Sequence, residues 1–204
     1  MTEIQEFQKD EGKRKAGEYP WDYYLRRSLE VASRFKNPKI LKTDADNEAC
    51  DLPRPGGIAG NLEGEVTIIE YVKEIIDKAR VKCPSLNYVL GDIRSLPFPE
   101  DSFDLLIDAS TLDHIHPKDV LLTLQEYHRV LKKGGVCLLF DWVTNNPKYA
   151  DEYKGYTVWS PTHQYYHPES EVDAYFNSLF SLEEKDHFWS VSDIHMNCYI
   201  GIKI

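Results

Sequence analysis

Short runs of β-branched and aliphatic residues alternate along this chain with stretches whose apolar residues recur at helical spacing. Lys39-Ile40-Leu41-Lys42, Val66-Thr67-Ile68-Ile69-Glu70, residues 86–90, residues 103–108 and Val136-Cys137-Leu138-Leu139-Phe140-Asp141 are the extended runs. Between them Val72, Ile75, Ile76 and Ala79 mark one helical face, and Val120, Leu121, Leu124, Tyr127 and Leu131 mark another. Strands that are apolar on both faces must be covered on both, so the alternation predicts a parallel sheet with helices on each side. Upstream, the spacing predicts a helix from Pro20 to about Phe35, closed by Pro38. Downstream, residues 168–179 read as a helix, and residues 182–188 and 198–204 as strands. Gly134-Gly135 is expected to end the helix that precedes residue 136.

At 204 residues and 42% hydrophobic content, the chain is long enough for one α/β domain with a real core. Residues 1–204 are accordingly read as a single domain, with a helical extension over about 1–37 and an insertion over about 144–167. Cys50, Cys83, Cys137 and Cys198 are scattered without a Cys-x-x-Cys pair, which suits reduced thiols in the cytoplasm better than a disulfide frame. The polar N-terminus and the lack of a long apolar run predict neither a signal peptide nor a membrane helix. A formal charge of −10 argues against a sequence-independent grip on nucleic acid. Lys13-Arg14-Lys15 reads as a solvated tail. Composition leaves the oligomeric state open.

The segment Leu86-Asn87-Tyr88-Val89-Leu90-Gly91-Asp92-Ile93-Arg94-Ser95-Leu96-Pro97-Phe98-Pro99, followed by Phe103-Asp104-Leu105-Leu106-Ile107-Asp108, resembles the middle of a class I S-adenosylmethionine (SAM) dependent methyltransferase of the type 11 kind. Glu126-Tyr127-His128-Arg129-Val130-Leu131-Lys132-Lys133-Gly134-Gly135 is similar to the family's lead into its fifth strand. The matched positions cover about residues 39–142. The resemblance implies a Rossmann-like, doubly wound, seven-stranded sheet of order 3-2-1-4-5-7-6 with the last strand antiparallel. It implies SAM as cofactor and a small-molecule acceptor. Glu70, at a strand end, is placed to accept the ribose hydroxyls, Asp92 to accept from the adenine amino group, and Ile93 to pack on the adenine. Tyr71, Asp44 and Ser110 complete the implied cofactor-binding set.

One part departs from the family. Where its glycine-rich loop follows the first strand, this chain has Asp44, Asp46 and Glu48 at the three glycine positions. Cys50-Asp51-Leu52-Pro53-Arg54-Pro55-Gly56-Gly57-Ile58-Ala59-Gly60 then rules out a regular helix. Residues 44–60 are therefore expected to form an irregular loop that obstructs or reshapes the cofactor cleft, with Gly56, Gly57 and Gly60 able to supply backbone donors. Carboxylates there repel a ligand carboxylate and attract an ammonium or sulfonium. A calcium-loop reading fails because Ala49 and Pro55 stand where glycine and glutamate are needed, so no metal is expected.

Thr111-Leu112-Asp113-His114-Ile115-His116 follows the fourth strand, from which the family addresses its substrate. His114 or Asp113 can take a proton from an attacking oxygen or nitrogen, or can simply cap the helix near Pro117. Tyr153, Tyr156, Trp159, His163, Tyr165, Tyr166 and His167 suggest an aromatic lid over a small apolar, aromatic or cationic substrate, or packing under a long loop. Two functions follow: SAM-dependent methyl transfer to a small molecule, or a degenerate, non-catalytic methyltransferase fold that acts as a binding or regulatory partner. A nucleic-acid methyltransferase ranks behind both because of the negative charge.

Overall fold

The computed structural model describes residues 20–49, 56–148, 165–191 and 193–204. Helix α1 (Pro20–Ala32) leads into strand β1 (Lys39–Lys42), a single turn α2 (Asp46–Ala49) and a 3-10 turn over Ala59–Asn61. Then come β2 (Glu65–Glu70), α3 (Lys73–Lys82), β3 (Asn87–Leu90) and β4 (Phe103–Ala109). After 3-10 turns at Leu112–His114 and Pro117–Asp119, the chain forms α4 (Val120–Val130), β5 (Leu131–Thr144), the two-residue β6 (His167–Pro168), α5 (Glu169–Leu179), β7 (Phe180–Val191) and β8 (Ile194–Lys203).

The strands form one sheet in the order β3-β2-β1-β4-β5-β8-β7, with β6 added beside β5. Pairs β1–β2, β1–β4, β2–β3 and β4–β5 are parallel, whereas β8 runs antiparallel to both β5 and β7. This is the expected order, since β8 and β7 hold the places of the seventh and sixth strands. The extra strand is the short β6.

Alternate residues along each strand point to opposite faces, and each face meets its own helices. Ile40, Ile68, Leu105, Ile107 and Leu138 pack with Tyr23, Tyr24 and Val31 of α1 and with Ile76 and Ala79 of α3. Leu41, Ile69, Leu106, Cys137 and Leu139 pack with Leu124, Tyr127 and Val130 of α4 and with Val172 and Phe176 of α5. Each such aliphatic side chain contributes about 1.5–3 kcal/mol when fully buried. The sandwich fixes where the strand ends lie, and thereby the site.

One boundary differs from expectation. Helix α4 stops at Val130, before Gly134-Gly135, because Leu131 already pairs with Phe103 in the sheet. The next pair is Leu105 with Val136, so residues 132–135 bulge out of the ladder. Gly134 takes φ 77° there, a left-handed angle that favours glycine. The two glycines shape a bulge inside a strand rather than the end of a helix.

Candidate active site

The strand order reverses between β1 and β4, and the crevice outside their carboxyl ends is where doubly wound sheets take ligands. Thr43 and Asp44 leave β1 at this point, and Ser110 and Thr111 leave β4. Glu70 ends β2, and Asp92 follows β3. Register pairs Glu70 with Leu90, so the two acids stand at adjacent strand ends, as the sequence indicated.

Glu70 is 7% exposed. Its Oε2 accepts the Ala45 amide at 3.0 Å and its Oε1 the Val72 amide at 2.7 Å. Burial pushes its carboxyl above the usual range, while the Val72 and Ala45 amides pull it back. A carboxylate oxygen has two acceptor positions, so each oxygen of Glu70 retains one. Asp92 is committed differently. The Arg94 guanidinium reaches it through Nε to Oδ1 at 3.0 Å and to Oδ2 at 3.1 Å and through Nη2 to Oδ2 at 2.6 Å, and the Arg94 amide adds a fourth bond, to Oδ1, at 2.9 Å. Arg94 thereby holds the Asp92 carboxyl below its ordinary value. Tyr71 beside Glu70 is 72% exposed, and Ile93 is buried against Leu41, Ile69 and Leu96.

Around β1 the structure reveals a feature that sequence reading missed. Lys42 is fully buried, and its Nζ donates to the Asp44 carbonyl at 2.6 Å and to Asp44 Oδ2 at 3.1 Å. It also pairs with Glu48 Oε2 at 3.2 Å. Burial works against the ammonium, but Asp44 and Glu48 outweigh it and hold its pKa above the ordinary lysine value. Asp44 Oδ1 accepts the Asp46 amide at 3.0 Å, and Oδ2 accepts the Thr111 hydroxyl at 3.1 Å. Thr111 also receives the Thr43 hydroxyl at 2.8 Å. Side-chain bonds therefore cross the crevice from β1 to β4. The signal was a lysine ending a strand directly after the apolar pair Ile40-Leu41.

The described part of 44–60 is irregular, as expected: one helical turn at Asp46–Ala49 and a 3-10 turn at Ala59–Asn61. Its glycine segment lies elsewhere than over the cleft. The Ala59 amide bonds Glu48 Oε1 at 2.8 Å, and Ile58 and Ala59 join the core beside Ile76 and Ala79. Gly56–Gly60 thus braces the loop from behind, because Ile58 has an apolar face to bury. Pro53-Arg54-Pro55 and Cys50 lie outside the described residues.

At the end of β4, Ser110 has φ 63°, and its hydroxyl lies 2.7 Å from that of Tyr24, which is fully buried. A left-handed serine is a strained conformation. Asp108 is buried and accepts the Thr111 amide at 2.7 Å and the Tyr127 hydroxyl at 2.6 Å. Burial pushes its carboxyl up to about 7 despite these bonds. Asp113 is 1% exposed, and its carbonyl accepts the Tyr165 amide at 2.7 Å. His114 is half-buried in the same 3-10 turn.

His167, counted in the sequence among lid aromatics, is instead 1% exposed and part of β6. Its Nδ1 lies 3.1 Å from Asp141 Oδ2 and its Nε2 is 3.0 Å from the Ile115 carbonyl. Burial disfavours its charge, but Asp141 prevails and the imidazole is pushed up to about 9. With both nitrogens engaged, His167 fastens β5 to the turn that carries Asp113 and His114. Tyr153, Tyr156, Trp159 and His163 lie outside the described residues.

A family model described as a methyltransferase domain matches residues 53–139. An uncharacterised methyltransferase of Synechocystis is 28% identical over 135 residues, spanning 61% of this chain and 64% of that protein. Among solved structures, a SAM-dependent methyltransferase from Methanosarcina mazei aligns with TM-score 0.66 at 16% identity, over 86% of this chain and 97% of that one. The fold is that of the class I SAM-dependent methyltransferases. The chain also aligns with the Burkholderia thailandensis 1,6-didemethyltoxoflavin N1-methyltransferase solved with S-adenosylhomocysteine, at TM-score 0.60 and 17% identity, over 88% of this chain and 78% of that one. The chain spans less than two thirds of the length of the curated relatives it matches first. Among the described residues no helix is long and apolar enough to cross a membrane.

Proposed function

We propose that this chain is a single methyltransferase-like domain that transfers a methyl group from SAM to a small-molecule acceptor. The supporting observation is the Glu70 carboxylate, oriented at the crevice by the Ala45 and Val72 amides with an acceptor position left on each oxygen. Glu70 would hold the two ribose hydroxyls there. Asp92 would share its Oδ2 between Arg94 and the adenine amino group, with Arg94 keeping the acid ionised. SAM supplies an activated methyl on a sulfonium, so the protein's task is chiefly alignment.

The residues after β4 serve that task. Asp108 ties down the Thr111 and Leu112 amides, and His167 ties Ile115 to β5. The turn Leu112–His114 is thus held at both ends, and Asp113 or His114 is the group we assign to accept the acceptor's proton.

The test is a thermal-shift titration of the purified protein with SAM and with S-adenosylhomocysteine. Both should raise the melting temperature, and Glu70→Ala should reduce the rise. No shift at millimolar ligand would overturn this reading. It would favour the second one, a non-catalytic binding or regulatory scaffold. That reading draws on one observation: Asp44 and Thr111 bridge the crevice that a cofactor would enter.

A further inference from the structure

The loop after β1 is where a doubly wound fold offers backbone amides to a ligand's charged end. Three of those amides are already in use in this chain. The Thr43 amide donates to the Ile107 carbonyl at 3.1 Å, the Ala45 amide to Glu70, and the Asp46 amide to Asp44. Lys42, the cation at the end of β1, is committed as well. Lys42 Nζ donates to the Asp44 carbonyl and to Asp44 Oδ2, and it forms an ion pair with Glu48 Oε2 at 3.2 Å. Asp44 in turn collects an ammonium, a backbone amide and the Thr111 hydroxyl. Such a donor set is what a protein would otherwise present to the carboxylate of a bound amino acid.

The geometry points to Asp44 as a resident substitute for a ligand carboxylate, so that the cleft selects adenosyl ligands lacking that group, decarboxylated SAM above all, over SAM itself. This rests on the adenosyl-binding reading above and narrows it. A ligand carboxylate entering the loop would meet the Asp44, Glu48 and Glu70 carboxylates, while Lys42 is held by Asp44 and Glu48 and the Ala45 and Asp46 amides donate to Glu70 and Asp44. That field disfavours its entry into the loop. A sulfonium and a free ammonium meet the opposite field, since three carboxylates stand against one lysine. Methyl transfer survives this arrangement, because the bond that breaks lies between sulfur and its methyl carbon. The electron pair of that bond stays on sulfur, the acceptor's lone pair forms the new bond to carbon, and the amino-acid end takes no part.

Isothermal titration calorimetry with SAM, decarboxylated SAM and 5′-methylthioadenosine tests the proposal without any turnover. The natural protein should bind decarboxylated SAM at least about tenfold more tightly than SAM, with neutral 5′-methylthioadenosine between them. Asp44→Asn keeps the shape and an acceptor for Thr111, and should shrink that ratio severalfold. Glu63→Gln removes the same charge from an exposed position and should leave the ratio unchanged. Circular dichroism confirms that each variant is folded, and the natural protein's ligand ranking stands without either. Equal or tighter binding of SAM overturns the selectivity while leaving the methyltransferase reading intact. A ratio that Asp44→Asn does not alter, or that Glu63→Gln alters as much, removes Asp44 from its role. No binding of any of the three overturns both readings.

Discussion

Lys42 shows how much one buried charge can decide. It has no exposed surface, and its partners Asp44 and Glu48 are there because an ammonium cannot remain unpaired in the core. Lys42→Met leaves the two carboxylates without their cation and should lower stability by about 3–5 kcal/mol, measured by urea unfolding. Removing Glu48 as well should restore part of the loss, which distinguishes charge from packing. On the cofactor side, Glu70→Ala and Asp92→Ala should each weaken SAM by about 1.5–3 kcal/mol in calorimetry. The Asp92 effect should be the smaller, because Arg94 already claims most of its lone pairs. Lys42 and Arg94 are both present in the sequence as residue types. Their pairings are not, because nothing in a linear pattern says which acid a long side chain will reach.

Two elements are held by contacts that can be tested separately. Strand β8 passes so close to α5 that a Cβ on Gly201 would lie 2.5 Å from the Phe176 ring and 2.8 Å from Phe180 Cβ. Gly201→Ala should therefore destabilise by about 1–3 kcal/mol in a thermal or urea melt, with Phe176→Leu relieving part of it. Strand β6 depends on His167, whose protonated ring bridges Asp141 and Ile115. Its pKa rises from 6.5 to about 9 on folding, so the stabilisation is complete below pH 6.5 and disappears as the pH climbs through 9. Its size is on the order of 3 kcal/mol. A stability profile between pH 6 and 10 should fall over that window, and His167→Gln should flatten it.

Across the whole molecule, a formal charge of −10 makes the folded state repel itself. Raising sodium chloride from about 10 to 300 mM shortens the screening length severalfold and should raise the melting temperature by a few degrees. The fully buried Lys42 pairs should contribute little to this gain, so Lys42→Met should show nearly the same salt increment. A melting temperature that falls with salt would mean that surface ion pairs, such as Arg34 with Glu183, outweigh the net repulsion.

The sheet and the placement of Glu70 and Asp92 at strand ends were legible in the chain itself, while the strand order came from the family resemblance of its motifs. Apolar strands of Ile40-Leu41, Ile68-Ile69 and Leu105-Leu106-Ile107 have only one way to bury both faces, and helical faces such as that of Val120, Leu124 and Tyr127 supply the cover. These are local, periodic signals that survive without knowledge of distant contacts. The state of the crevice was of another kind. That Asp44 is met by Lys42 and Thr111, that Gly56–Gly60 sits behind the loop, and that His167 belongs to β6 depend on residues brought together from distant parts of the chain. Hydrogen bonds and ion pairs are directional and short-ranged, so only the assembled strands could decide which of the available acids and cations would meet.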